Sequence, residues 1–160
     1  MSSFSIRVNI GELLAGYDAT LRQIEDAARP AAQAGAQVLY DEVKRNVARI
    51  RRKTGKLAAS IYQVYSKSNS GQGHATYHVS WNAKKAPHGH LVEFGHLQRY
   101  EVTHDPKTGR FITHRDRPLA SPKQIPAYPF VRPAVSKLPA AEQAMRDRFF
   151  AELADKGMIR

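Results

Sequence analysis

The spacing of hydrophobic residues changes along the chain, and each spacing predicts a different element. Phe4, Ile6 and Val8 alternate with polar residues, which predicts a short strand or extended arm over residues 1–9. From residue 10 onward, hydrophobic residues recur every three or four positions, which is typical of one buried helical face. These positions are Leu14, Tyr17, Leu21, Ile24, Ala28, Gly35, Val38, Leu39, Val43, Val47 and Ile50. We therefore predict a helical region over residues 10–53.

A proline interrupts this helical pattern. Pro30 lacks an amide hydrogen and its ring clashes with the preceding turn, so it predicts either a kink or two helices that meet near Arg29 and Pro30. Alanines are frequent between residues 27 and 36. Their small side chains would let another helix or a sheet approach closely.

The spacing then becomes typical of strands. The β-prone residues of 61–65 and 76–81 flank a polar loop, so we predict that they form an antiparallel hairpin. A second hairpin is predicted around the turn-prone residues 105–109, as an arm over about 98–115 that projects from the body. Together these segments predict a small antiparallel sheet over 57–115.

The last third of the chain is rich in proline and then becomes helical again. Six of the nine prolines lie between Pro118 and Pro139, which predicts an extended connector over 116–137, anchored by Tyr128, Phe130 and Val131. A final helix is predicted over 138–156. Its apolar face would consist of Leu138, Ala141, Met145, Phe149 and Leu153. The predicted fold class is α+β, in a single domain over 1–160.

The chain is strongly basic, with 25 Lys and Arg against 14 Asp and Glu, a net charge of +11 and a pI near 10.1. This charge favours a polyanion or an acidic protein surface as neighbour, although it also fits a role in solubility alone. Cysteine is absent, which excludes disulfides and thiolate chemistry. The N-terminus is too polar for a signal peptide, and no stretch approaches the roughly 20 apolar residues that cross a bilayer. We expect a protein of the cytosol, or of a particle assembled there, that makes no membrane contact.

The charge is also unevenly distributed. Residues 10–42 contain six acidic residues against two arginines, and a run of cations without any acidic residue follows. This basic cluster consists of Lys44, Arg45, Arg49, Arg51, Arg52, Lys53 and Lys56. Three interpretations stay open: a solvated helix end, an interface with an acidic protein, and contact with nucleic acid. Aromatic residues for base stacking are missing from the cluster.

Motifs for catalysis or cofactor binding are missing from the sequence. His88, His90, Glu93 and His96 could ligate a metal, but their spacing matches no common zinc motif. The alternative is structural: Leu91, Val92 and Phe94 pack inward while Glu93 meets a basic or backbone partner. The Thr54-Gly55-Lys56 segment lacks the first glycine and the final hydroxyl of a phosphate loop. We therefore expect no cofactor, no metal and no enzymatic activity.

Three short motifs remain, and they occur in a defined order. A Thr-Gly-x-Leu-x-x-Ser-Ile segment leads into the sheet, an Ala-Pro-His-Gly-x-x-Val-Glu-Phe-Gly segment follows the first predicted hairpin, and an aromatic-Pro-Phe-x-x-Pro-Ala segment precedes the last helix. The positions are Thr54, Gly55, Leu57, Ser60 and Ile61, then Ala86, Pro87, His88, Gly89, Val92, Glu93, Phe94 and Gly95, then Pro129, Phe130, Pro133 and Ala134. In this order the chain resembles the tail-completion or neck proteins of long-tailed bacteriophages, the group described as minor tail protein Z-like or head-to-tail joining. The resemblance spans roughly residues 30–155.

The resemblance implies a structural virion protein at the neck, at the top of the tail. It implies a homo-oligomer, a ring of six copies around the DNA channel, assembled in the host cytoplasm. The partners implied are head connector, adaptor or stopper proteins on one side and tail terminator or tail tube proteins on the other. The motif residues would then serve subunit or partner contacts, and the basic cluster would touch DNA or an acidic partner. The alternative hypothesis is a basic DNA-binding protein without catalytic activity.

Overall fold

The structure is a computed structural model that describes residues 10–50, 54–71 and 73–159, with side chains from residue 18 onward. The predicted strand over 1–9 and the cations at 51–53 lie outside these residues. The helices are α1 (Ile10–Arg49), α2 (Lys56–Ser60), α3 (Gly89–Phe94) and α4 (Leu138–Asp155). The strands are β1 (Ile61–Tyr65), β2 (Tyr77–Trp81), β3 (His96–Asp105) and β4 (Arg110–Ile125). The predicted α+β class, with a long N-terminal helical region and a C-terminal helix, is confirmed.

Helix α1 runs through Pro30 as one continuous helix of 40 residues, so of the two predicted alternatives the division into two helices at Pro30 is wrong. A proline inside a helix costs about 3 kcal/mol, and tertiary packing on both sides of Pro30 offsets this cost. Ala27, Ala31 and Ala36 are buried. At Gly35, a Cβ atom would lie only 2.5 Å from the Cγ atom of Met145 on α4. The small residues of α1 thus allow a close helix contact, as predicted.

Helix α4 lies antiparallel to α1 along this small-residue face. Near its C-terminal end, the Lys156 ammonium donates a 2.9 Å hydrogen bond to the Gln23 carbonyl. The predicted apolar face of α4 is only partly buried: Ala141 and Leu153 are buried, whereas Leu138 is half exposed. In the N-terminal half of α1, Leu21 and Ile24 stay exposed.

The hydrophobic core lies where the C-terminal half of α1 meets the β1–β2 hairpin and residues 129–134. Its buried residues are Val43, Val47, Ile61, Phe130 and Ala134. The Trp81 and Phe130 rings meet edge to face with centroids 5.5 Å apart. Phe130, fully buried, contributes the largest side chain of this core.

The predicted sheet is in fact two separate two-stranded sheets. Strand β1 pairs with β2, with Ile61 opposite Trp81, and β3 pairs with β4. The β3–β4 hairpin spans 96–125, longer than the predicted 98–115, so the connector predicted over 116–137 is largely strand and 3₁₀ turn. The sequence-based argument excluded a central strand, because prolines such as Pro118 and Pro122 cannot donate to a ladder. In a two-stranded ribbon both strands are edges, and a proline can face outward.

Candidate assembly surfaces

Glu93 on α3 joins the second motif to the third. Its carboxylate is buried and accepts hydrogen bonds from the backbone N–H groups of Phe130 at 2.7 Å, Val131 at 3.0 Å and Arg132 at 3.1 Å. The Arg132 guanidinium donates to the same carboxylate at 3.1 Å and to the Glu93 carbonyl at 2.7 Å. Glu93 therefore has both kinds of predicted partner, a basic side chain and backbone groups. We call this arrangement the Glu93 junction.

Burial opposes ionisation of Glu93, but the three N–H groups and the Arg132 guanidinium outweigh it and hold the pKa of Glu93 below its usual range. The Glu93 carboxylate accepts four hydrogen bonds from its own subunit and so stabilises the fold. Within the described residues, no group of His, Asp and Glu side chains could hold a metal ion. The geometry of Glu93 is that of a structural anion.

Two predicted inward-facing aromatic residues of these motifs lie on the surface instead. The Phe94 side chain is 63% exposed and stacks under Arg132, with the guanidinium carbon 4.9 Å from the ring centroid. The Tyr128 side chain is 56% exposed, and its segment is held by a backbone hydrogen bond of 2.8 Å to the Val92 carbonyl. Phe94 therefore does not pack inward and Tyr128 does not anchor the segment by burial, because Phe130 fills the core beneath them and leaves these two rings on the surface.

Glycines in the second motif allow close approach. A Cβ atom at Gly89 would lie 2.2 Å from the Trp81 indole nitrogen. Gly95 has a φ of 69°, and a Cβ atom there would lie 2.7 Å from the Ile125 carbonyl oxygen. Side chains at these positions would separate α3 from β2 and from the end of β4. The glycines therefore position α3 on the body.

The first motif forms a short turn and helix at the end of α1. Gly55 takes a φ of 72° and accepts a backbone hydrogen bond from Ala59 at 3.1 Å. The Ser60 hydroxyl donates to the Leu57 carbonyl at 2.7 Å, and Leu57 packs against the core. This motif directs the chain from α1 into β1.

The three motifs meet around one groove of about 1400 Å³. Helix α1 and the first motif form one side of the groove, and α3, residues 125–133 and the turn end of the β3–β4 hairpin complete it. Eight of the predicted motif residues line it: Thr54, Gly55, Leu57, Pro87, His88, Val92, Pro129 and Pro133. The other predicted motif residues do not: Ser60, Gly89, Glu93 and Phe130 are buried, and Phe94 and Gly95 lie away from the groove.

The rim of the groove is basic. Its charged residues are Arg49, Lys56, Lys84, Lys85 and Arg110, with no acidic residue in the lining. Among the described residues, none of these five cations takes part in an ion pair. Desolvation, and then the electrostatic effects of Lys56 and His90, lower the pKa of His88 below its usual value. The groove is thus suited to an anionic, partly apolar ligand.

The predicted basic cluster is divided by the structure. Arg45 forms a 2.7 Å ion pair with Glu42, and the Lys44 ammonium donates to the Ala58 carbonyl at 3.1 Å. Only Arg49 and Lys56 of the described members face the groove. Sequence reasoning missed Lys84, Lys85 and Arg110 on the rim, Arg132 at the Glu93 junction and Asn46, which donates to the Phe130 carbonyl at 3.1 Å. Lys84 and Lys85 directly precede the second motif, and this position in the sequence could have indicated that they lie beside it.

Several elements expose hydrophobic side chains, and two of them are the β3–β4 hairpin and the N-terminal half of α1. On the β3–β4 hairpin they include Leu97, Tyr100, Val102, Phe111 and Ile112, each at least 38% exposed. The two strands pack chiefly on each other. Near the start of α1, Leu21 and Ile24 are 41% and 37% exposed, so the predicted burial of this helical stripe is wrong at these positions.

Comparison with known proteins identifies the family. The sequence pattern of the HK97-gp10-like family, which is described as a bacteriophage tail component, matches residues 12–95, more than half of the chain. The chain belongs to this family. The match ends with the second motif, so it includes α1, the β1–β2 hairpin and α3 but not the β3–β4 hairpin or α4. No curated protein and no solved structure matches the chain significantly.

Membership of the HK97-gp10-like family indicates a structural protein of a bacteriophage tail, located in the virion. This confirms the coarser part of the sequence-based prediction, namely a phage tail protein. No helix of the described residues has the length and apolar character of a membrane span. The predicted roles of individual motif residues in contacts between subunits stay predictions.

Proposed function

We propose that this HK97-gp10-like protein is a tail-completion or neck subunit that forms a ring, of six copies, between the tail and the head connector. The observation that carries the proposal is the amount of hydrophobic surface left exposed on the β3–β4 hairpin and at the start of α1. Single exposed hydrophobic residues are common, but contiguous sets mark contact surfaces. A ring subunit needs such surfaces on opposite sides.

The partners in this proposal are a head connector, adaptor or stopper protein on one side and a tail terminator or tail tube protein on the other. The hairpin can extend over a neighbour or pair with a strand edge, since both of its strands are edges. We propose no catalytic step. Glu93, which the sequence analysis considered as a metal ligand, accepts four hydrogen bonds within the subunit, and this supports a structural role.

The second candidate function is DNA binding, and the basic rim of the groove favours it. Phosphate binding requires clustered, accessible cations, and the five rim cations meet this requirement. However, Lys44 and Arg45 already bind groups of the same subunit. A monomer whose DNA affinity falls steeply with salt would support this candidate. A ring with little DNA affinity would support the neck proposal.

Electron microscopy of phage lacking the protein tests the neck proposal. We expect filled heads and finished tails that are not attached to each other, and addition of the purified protein should restore attachment. Normally attached tails in the mutant lysate would overturn the proposal. Tails that are absent or of irregular length would also overturn it, because they would indicate a role in tail tube assembly. A six-fold ring at the neck of the wild-type particle would support the copy number.

A further inference from the structure

We propose that the basic groove binds the N-terminal end of helix α1 from a neighbouring copy of the same chain. We call this end, residues 10–26, the acidic end of α1. The inference rests on the proposed ring and deepens it, because it names the seam between adjacent subunits. Both halves of the seam lie on every copy.

The groove combines a hydrophobic floor with a cationic rim. Val47, Ile50, Leu57 and Val92 contribute apolar surface to the lining, and all the charged lining residues carry positive charge. The volume of the groove is about 1400 Å³. A hydrophobic floor inside a cationic rim is complementary to an acidic amphipathic helix.

The acidic end of α1 has this character. It carries four acidic residues and only one cation, Arg22. On a helix with 100° per residue, Leu21 and Ile24 form one stripe and Asp18 and Glu25 lie beside it. All four side chains are exposed in the subunit. The helix end thus presents an apolar stripe bordered on one side by anions.

The acidic end of α1 cannot reach the groove of its own subunit. The groove contacts α1 at Val47, Arg49 and Ile50, whereas the acidic end lies at the opposite end of the same continuous helix. The 29 residues from Leu21 to Arg49 span about 40 Å of helix, and packing against α4 keeps α1 from folding back. Contact between the two ends must therefore join different copies, head to tail. Such heterologous contacts generate a ring when the rotation closes.

The β3–β4 hairpin is less suited to the groove. Residues 96–125 include six Lys or Arg against three acidic residues, so a neighbour's hairpin would bring like charge to the cationic rim. Nucleic acid would match the rim but would leave the hydrophobic floor without an apolar partner. The acidic end of α1 matches both the charge and the hydrophobic surface.

Cross-linking of purified full-length protein tests the seam, because the chain has no native cysteine. Leu21→Cys places a thiol on the acidic end, and Tyr128→Cys places one at an exposed position of the groove. A mixture of the two single variants, treated with a short bismaleimide, should give a covalent heterodimer. The matched control replaces Leu21→Cys with Phe150→Cys, on an exposed position of α4. Equal yields in the two mixtures, or no heterodimer in the first, would overturn the seam.

Charge reversal separates this seam from a polyanion site. Lys84→Glu with Lys85→Glu in the groove variant should lower the cross-link yield at least about tenfold, because like charges across an interface are strongly disfavoured. Asp18→Lys with Glu25→Lys in the partner variant should restore the yield. Loss of DNA affinity on groove reversal, without restored cross-linking, would overturn the inference. The matched control, Lys107→Glu with Lys123→Glu on the hairpin outside the groove lining, should leave the yield unchanged.

The two proposals can fail separately. A ring seen at the neck of particles whose subunits show no cross-link between Leu21→Cys and Tyr128→Cys would overturn the seam and leave the neck role intact. Attached tails in phage lacking the protein, together with specific cross-linking of the purified chain, would overturn the neck role and leave the head-to-tail contact intact.

Discussion

The Glu93 junction and the β3–β4 hairpin use their residues in opposite ways. At the junction, the buried Glu93 carboxylate accepts four hydrogen bonds, and all four donors belong to the same subunit. On the hairpin, hydrophobic side chains face solvent, and the strands pack chiefly on each other. The difference indicates that the junction holds the subunit together, whereas the hairpin is available for contacts beyond it.

Removal of the Glu93 carboxylate should have the largest effect. Glu93→Ala leaves three backbone N–H groups and the Arg132 guanidinium without their acceptor, so the free energy of unfolding should fall by about 3–5 kcal/mol. Urea denaturation measures this loss. The matched control is Glu101→Ala on the hairpin, where Arg117 lies 3.5 Å away in an exposed pair. This pair should contribute no more than about 1 kcal/mol. Equal losses in the two variants would contradict the comparison.

Glycine substitutions should have the next largest effect, and the chain offers a matched pair. Gly95 and Gly55 both have positive φ angles, of 69° and 72°, but only Gly95 faces crowded backbone. Gly55→Ala should cost about 1–2 kcal/mol from backbone strain alone. Gly95→Ala should cost more, about 2–5 kcal/mol in all, because Gly95 combines its positive φ with a ψ of 175° that is essentially restricted to glycine, and because the new Cβ atom meets the Ile125 carbonyl. Similar melting shifts for the two variants would show that α3 is not held tightly against β4.

The sequence predicted the elements of the fold better than their continuity. Periodicity located the helices and the β1–β2 hairpin because these elements bury one face of a regular pattern. It left open whether α1 divides at Pro30, because the contact with α4 that supports α1 is tertiary. It failed on the extent of the β3–β4 hairpin, since Pro118 and Pro122 argue against a central strand but not against an isolated ribbon. Local propensity does not show that α4 packs against α1 or that β4 pairs with β3 alone.

The candidate site was predictable in part. The order of the motifs singled out residues that line the groove, including Thr54, Pro87 and Pro133. It could not show that Glu93 binds the backbone of residues 130–132, because nearly 40 positions separate them in the chain. The run of cations in the sequence also grouped Lys44 and Arg45 with Lys56 in one basic cluster. Their separation depends on which side of α1 each residue occupies relative to Glu42 and Ala58.

Acid should weaken the junction by a smaller and graded amount. The pKa of Glu93 is lower in the folded protein than its ordinary value near 4.3, so its contribution to stability is present above that value. The contribution is lost as the pH falls through the ordinary pKa toward the lowered one. Unfolding free energies of wild type and Glu93→Gln, measured from pH 7 to pH 3, should therefore converge at the acid end. Glu42 and Asp105 also have lowered pKa values, but they are present in both proteins. A difference that stays constant with pH would show that the Glu93 charge does not stabilise the fold.

Changes on the hairpin should affect the stability of the subunit least and its assembly most. Val102→Thr with Ile112→Thr removes exposed hydrophobic surface, so the free energy of unfolding should change by no more than about 0.5 kcal/mol. If the hairpin contacts a neighbour, the same variant should fail to restore attached tails to phage lacking the protein. The matched control is Val64→Thr with Tyr62→Thr, at exposed positions of β1 on the body. That control should restore attachment as wild type does. Full attachment with the hairpin variant would remove the contrast, because the exposed side chains of the hairpin would then be as dispensable as those of β1.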